Sequence, residues 1–389
     1  MLLRGACLVL ALYGLGAAAE PYIPVEDAVV LERLPVAGAE RRELRRARAE
    51  LAAQPNGPGP ALALARRYIA LGRAEADPRY YGHAEAVLTP WLERPDPPPE
   101  AWVLRATLLQ NRHDFAAALR DLDAAVRRDP RSAQAWLTRA AILEVQGDYP
   151  AALRSCWALA GLGTSLGATV CLGSVSSLAG RGEAAYKQLR AAVENSGTDD
   201  ADELLWARTT LAEMAERLGH ADQAEADYRA ALGLGRRSPY LWAAYADFLL
   251  DHDRPTEVAG LLEGQARADG LLLRLALAEQ RLGRSGFAGH AADLAARYAA
   301  NQARGDASHL GEESRYALRI GHDPAAALRL AQANWSVQRE PRDARAVLEA
   351  AQAARQPEAA RPVLDFLARS GLQDARLAPL VAALAGGAR

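Results

Sequence analysis

Methionine and phenylalanine are nearly missing from this chain of 389 residues, which holds 2 Met and 4 Phe. Half of the residues are nevertheless hydrophobic, so the apolar mass is mostly Ala and Leu, both strong helix formers. Small Ala side chains let helices approach closely, which favours stacked helices over a sandwich or a barrel. Lysine is almost absent as well: Lys187 is the only one, and the remaining basic residues are Arg. These Arg are spread along helix faces, which reads as compositional bias rather than as a functional signal. Charge of one sign is not in excess. The formal net charge is -2, which removes the electrostatic case for a nucleic-acid partner.

Catalytic signatures are missing too. There is no His-Glu-x-x-His zinc helix, no Gly-x-Ser-x-Gly nucleophile elbow and no Walker phosphate loop. No Gly-x-Gly-x-x-Gly follows a strand, and no Cys-x-x-Cys pair exists. The chain therefore reads as a non-enzyme with no cofactor and no metal. His113-Asp114, His252-Asp253 and His322-Asp323 recur at expected turns, with His220 and Asp222 close to the same pattern. Asp bonds local backbone in turns, and turns of successive units stand too far apart to share an ion.

The N-terminus reads MLLRGACLVLALYGLGAAAEPYIP. Arg4, the apolar run Ala6 to Gly16 and the small residues Ala17-Ala18-Ala19 match the three regions of a secretory signal cleaved after Ala19. The run is shorter than the roughly 20 residues a spanning helix needs, and no later stretch approaches that length without charges. These features predict an exported protein, best placed in the periplasm of a Gram-negative bacterium, with no integral membrane segment after cleavage. Cleavage leaves Cys156 and Cys171. An oxidising compartment permits a bridge between them; two small buried thiols are the other reading.

What the chain does have is a repeat. AWVLRATLLQNRHDFAAALRDLDAAVRRDP, Ala101 to Pro130, is followed by AWLTRAAILEVQGDYPAALRSCWAL. Trp102 recurs as Trp136, Arg105-Ala106 as Arg139-Ala140, Asp114 as Asp148, and Ala118-Leu119 as Ala152-Leu153, a step of 34 residues. Two helices within a fixed period of that length resemble the tetratricopeptide (TPR) repeat. The likeness is strongest over about 100–235 and fades toward both ends. It implies an all-α fold: a right-handed superhelical solenoid of stacked antiparallel helix pairs, each unit burying its apolar face on its neighbours.

On this frame residues 1–19 are the signal, and 20–60 are an extended lead-in plus the charged helix Ala39 to Ala53. Residues 61–98 form a degenerate capping repeat, 99–265 the TPR-like repeats, and 266–389 divergent helical repeats that continue the solenoid. Asn301 to His309 reads as a polar linker inside that last stretch. The repeat register puts Trp102, Trp136 and Trp242 in the core, with Trp91, Trp157 and Trp335 expected there too.

The family resemblance also implies where a partner would sit. First helices line a concave groove through a few positions per unit. Here these are Thr107, Gln110 and Asn111; Leu137 and Glu144; Trp206, Thr209, Glu213 and Glu216; and Tyr240, Asp247 and Asp251. The later carboxylates suit a basic or neutral-polar peptide, and the Lys and Asn clamp for acidic C-termini is not evident. A solvated acidic face is the alternative. The function expected is a non-catalytic scaffold or adaptor of the cell envelope that binds a protein or peptide. An accessory subunit of an envelope assembly or secretion system is the near alternative. From another class, an enzyme or solute-binding protein would have its site in the divergent C-terminal helices, marked by a deep polar pocket with perturbed titratable groups.

Overall fold

The computed structural model describes residues 39–163 and 165–386. The expected signal peptide and the lead-in up to residue 38 lie outside the described residues. The chain divides into two compact units, Met1–Arg46 and Ala47–Arg389. The described part of the first is the opening of helix α1 (Ala39–Ala53), whose Glu and Arg recur at near-turn spacing and support a solvated helix.

Every regular element described in the second unit is helical. The helices come in pairs: α2 (Pro58–Glu75) with α3 (Arg79–Leu92), α4 (Pro99–Asn111) with α5 (Phe115–Arg128), and α6 (Ala133–Val145) with α7 (Tyr149–Ala160). Next come α8 (Leu166–Ser176) with α9 (Gly182–Glu194), α10 (Ala201–Arg217) with α11 (Ala221–Gly233), and α12 (Pro239–Asp251) with α13 (Pro255–Leu261). The C-terminal part adds α14 (Asp269–Leu282) with α15 (Phe287–Ala303), α16 (Leu310–Arg319) with α17 (Pro324–Trp335), and α18 (Pro341–Ala353) with α19 (Arg361–Ser370). The last helix is α20 (Ala378–Gly386). The first helix of each pair also packs on the first helix of the next, from α2 on α4 through to α18 on α20. This is the helix-pair solenoid that the 34-residue step implies, and it continues through the divergent C-terminal stretch. No described helix is long and apolar enough to cross a membrane.

Local chemistry explains the pairing. Asp114, Asp148 and Asp323 cap second helices, their carboxylates accepting from the backbone N–H of Ala117, Ala151 and Ala326. Pro99, Pro150, Pro239, Pro324 and Pro341 sit in first turns, where no N–H is needed. Between the helices of a pair the chain must pass through a left-handed residue. Gly147 takes it with φ +75°, and His113 takes the same place with φ +59° and His322 with φ +52°. The turn histidines thus stand where glycine is the unstrained choice.

The array does not simply extend; its C-terminal pairs return to the earlier ones. One buried apolar cluster joins Leu143, Ala152 and Val175 to Leu348, Phe366 and Leu384. The N–H of Arg339 donates to the carbonyl of Val145 at 2.7 Å, and that of Ala375 to the carbonyl of Arg217 at 2.8 Å. Close approach is possible because two turns carry glycine. A Cβ on Gly147 would come within 2.7 Å of the Phe366 ring, and one on Gly180 within 3.2 Å of the Gly371 carbonyl.

Three sequence expectations are corrected. Asn301 to His309 is not wholly a linker: α15 runs to Ala303, and Asn301 is buried. Trp157 is not core but 65% exposed on α7, because the neighbouring position, Cys156, takes the inward direction. Trp102, Trp136 and Trp242 are only half-buried; the Trp136 indole reaches out to donate to the Pro130 carbonyl. Trp91 and Trp335 are buried.

Cys156 on α7 and Cys171 on α8 are joined by a disulfide, with Cα atoms 5.6 Å apart. It closes a loop of sequence separation 15, for which chain entropy predicts about 3 kcal/mol of stabilisation. Replacing both residues by Ala should lower unfolding stability by about that amount, read from urea denaturation under oxidising conditions. Equal midpoints for variant and parent would contradict a structural role for the bridge.

Candidate functional site

The first helices α12, α14, α16 and α18 face one another across a cavity of about 560 Å³. Its wall carries opposed charges set among apolar side chains such as Leu277, Leu318 and Leu377. Asp247 of α12 receives Arg274 of α14 at 2.5 Å on one oxygen and Arg315 of α16 at 2.5 Å on the other. Asp251, one turn on, is held by both terminal nitrogens of Arg345 of α18, at 2.5 and 2.9 Å. The same guanidinium uses its Nε on Glu349, whose other oxygen receives Arg319. Below, Arg376 grips Asp374 with two nitrogens and reaches Glu216 of α10 with the third at 2.7 Å. Asn334 donates to Asp343, which also accepts from the backbone N–H of Glu340.

The electrostatics follow from burial and pairing. The two guanidiniums hold the Asp247 carboxyl well below the usual carboxylate range despite its burial. Arg345 and Arg319 lower Glu349 in the same way, although burial, the largest single influence, opposes them. Asp343 moves up, because it is buried beside Glu340. Glu216 is also pushed up: its burial outweighs the attraction of Arg376. His113, on the cavity wall, is pushed down by burial.

The structure places the groove residues named from the sequence as follows. Asp247 and Asp251 line the cavity, but with Glu216 they are neutralised by the chain's own arginines. Glu213 accepts from the Tyr240 hydroxyl at 2.5 Å, linking α10 to α12. Glu144 accepts from Ser174 Oγ at 2.7 Å and is raised to about 7, mainly by burial. Thr107 and Thr209 are buried, their hydroxyls donating one turn back to Val103 and Leu205. Leu137 packs against the cluster shared with the C-terminal helices, and Trp206 packs against both large clusters. Trp206 therefore ties core to core. Gln110 is half-buried, while Asn111 is exposed, its amide donating to the Thr107 carbonyl. Tyr240 is 51% exposed, yet burial of its phenol and the nearby Glu213 push it well above its ordinary value. Arg342 and Glu340 are among the charges near it.

Sequence reading missed the returning arginines. Arg315 and Arg319 are four apart on α16, and Arg342 and Arg345 three apart on α18, so each pair shares a helix face. That spacing was the available signal. Among the described residues no group of three or more His, Cys, Asp or Glu is placed to hold a metal.

Comparison with known proteins adds little to this picture. No protein-family model matches the chain, and no curated protein does. Among solved structures it is similar to the APC/C hetero-tetramer Cut9-Hcn1, at TM-score 0.42 and 14% identity over 80% of this chain. It spans 52% of that chain's length. Yeast Tom70 gives TM-score 0.43 and 9% identity, covering 90% of this chain and 85% of Tom70. A tetratricopeptide repeat protein from Parabacteroides merdae gives 0.37 and 16%, covering 65% and 98%. At such values the assignment of a TPR-like solenoid rests on this chain's own period and helix packing.

Replacing Asp247 by Asn should cost about 3–5 kcal/mol in unfolding stability, because it strands Arg274 and Arg315 without a counter-charge; a loss under 1 kcal/mol would contradict the pairing. Glu144 gives a pH dependence of definite sign. Its folded value, about 7, lies above its unfolded value near 4.3, so the folded state binds more protons between the two. Its contribution is therefore complete below the unfolded value and is lost as pH rises through about 7. Glu144→Gln should flatten the fall in stability between pH 5 and 8, measured by urea denaturation at both. An unchanged slope would place that titration elsewhere.

Proposed function

We propose that this protein is a non-catalytic interaction scaffold of a bacterial cell envelope, exported to the periplasm, which engages a segment of a protein partner on its inner face. The observation that carries this reading is the unbroken side-by-side packing of first helices from α2 to α20. Such packing presents a continuous surface on which side chains of successive units can act together. Its features accessible to a partner include Tyr240 and the Gln110–Asn111 end of α4. The leader-like N-terminus supports export, and the bridged cysteines are consistent with an oxidising compartment. The near-balanced net charge of -2 argues against nucleic acid. An accessory role in an envelope assembly or secretion system differs from this reading only in the partner.

A second reading is favoured by one specific observation. The cavity between α12, α14, α16 and α18 is polar, carries shifted carboxylates and has the 300–1,000 Å³ scale of a small-molecule site. It lies largely within the divergent C-terminal helices, and it suits a solute-binding protein.

The scaffold reading is tested by placing a photo-crosslinking amino acid at Tyr240, at Asn111 and at Arg154, exposed on the second helix α7, and irradiating intact cells. A discrete adduct is expected from the first two and none from Arg154. Absence of adducts at both inner positions would remove the scaffold reading.

A further inference from the structure

The charges around the cavity are not equivalent once their hydrogen bonds are followed atom by atom. Seven arginines and six carboxylates line it, which by formal charge suggests near neutrality. The carboxylates, however, are almost used up. Asp247, Asp251, Glu349, Asp374 and Asp343 each have both oxygens engaged within the chain. Only Glu312 has no hydrogen bond among the described residues.

The guanidiniums are not used up. Arg274, Arg345 and Arg376 commit all three nitrogens. Arg281 commits one terminal nitrogen, to the Leu250 carbonyl, with Asp253 farther off at 3.9 Å from the same atom. Arg315, Arg319 and Arg342 also commit one each, to Asp247, Glu349 and Glu340. Exposure separates three of them: the side chains of Arg281, Arg319 and Arg342 are 44%, 49% and 55% exposed, against 26%, 17% and 16% for Asp247, Asp251 and Glu349, while Arg315 is as covered as Asp247. What the cavity offers a visitor is therefore a set of unfilled N–H donors on fixed cations. The acidic first-helix positions that suggested a basic ligand lie behind arginines.

We propose that this cavity binds a small organic anion carrying two or more carboxylate or phosphate groups, held by Arg281, Arg319 and Arg342 with Arg315 behind them. Arg281 leaves Nε and Nη2 unfilled, the edge of a planar guanidinium that matches a carboxylate or phosphate, while Arg319 and Arg342 leave Nε and Nη1, single donors on separate edges. Donors on three helices, α14, α16 and α18, favour a ligand with several anionic groups over a single one. Cavity size, about 560 Å³, selects a compact molecule. Glu312 is the one repulsive element and disfavours the most highly charged anions. The inference rests on the solute-binding reading above.

The test is calorimetric titration of the whole chain at constant ionic strength with citrate, inorganic phosphate, spermidine and sucrose. Saturable binding of citrate, with phosphate weaker by at least about tenfold, is the expected result, because one phosphate cannot span donors on three helices. Arg319→Gln and Arg342→Gln should each weaken citrate about tenfold, with the helical circular dichroism unchanged, since both side chains are half-exposed. Glu312→Gln should tighten citrate about threefold by removing a like charge; unchanged or weaker binding would place the anion elsewhere and overturn the assignment. Spermidine or sucrose binding without citrate would overturn the anionic preference while leaving the solute-binding reading in place. Phosphate binding as tightly as citrate would refute engagement of donors on several helices. Citrate binding untouched by both arginine variants would refute the site. No saturable binding of any probe would sink the solute-binding reading and the proposal together.

Discussion

The structure depends on one set of interactions: arginines of the C-terminal pairs seated on carboxylates of earlier first helices. Arg315 on Asp247, Arg345 on Asp251 and Arg376 on Glu216 span large sequence distances. A buried carboxylate without a partner is costly, and removing one member of such a pair leaves the other stranded. The inner face of α10 and α12 is therefore coupled to the presence of α16, α18 and the loop before α20. Apolar packing reinforces this, since Phe366 and Leu348 share a cluster with Leu143 and Val175. Repeat solenoids are usually dominated by nearest-neighbour contacts. Here contacts also join the middle pairs to the C-terminal ones.

That return also decides what kind of site is left. An open groove lined by Glu213, Glu216, Asp247 and Asp251 would carry a negative potential and suit a basic segment. With arginines laid over Glu216, Asp247 and Asp251, and Glu213 bonded to the Tyr240 hydroxyl, the unfilled hydrogen-bonding groups of the cavity lining are mainly those of arginine. The inversion needs no change in net charge. It follows from which side of each ion pair keeps unfilled hydrogen-bonding capacity, and an arginine fork has more donors than one carboxylate oxygen can absorb.

The turns show a steric counterpart. Gly147 and Gly180 are needed twice over, once for left-handed backbone and once because the returning chain approaches within van der Waals distance. His113 occupies the equivalent left-handed position in the preceding unit, and its imidazole meets Gln338 of the returning segment. His113 is thus a turn residue and also a docking contact.

The helix pairs were legible in the amino-acid order. Trp102 and Trp136, Ala106 and Ala140, and Asp114 and Asp148 encode local geometry, because capping, turn conformation and interhelical spacing are set by residues within one period. The arginines of the cavity are in the sequence as well, spaced three and four apart on α16 and α18. Their spacing says only that they share a helix face. That this face meets Asp247 and Asp251 required the long-range return of the chain, which depends on summed packing of many side chains and on two glycines small enough to allow contact. Sequence by itself determined the repeating helical unit and the acidic character of its later first helices. Only tertiary structure decided that those acids are answered from within, since the pairing of charges tens to hundreds of residues apart is a property of the folded path.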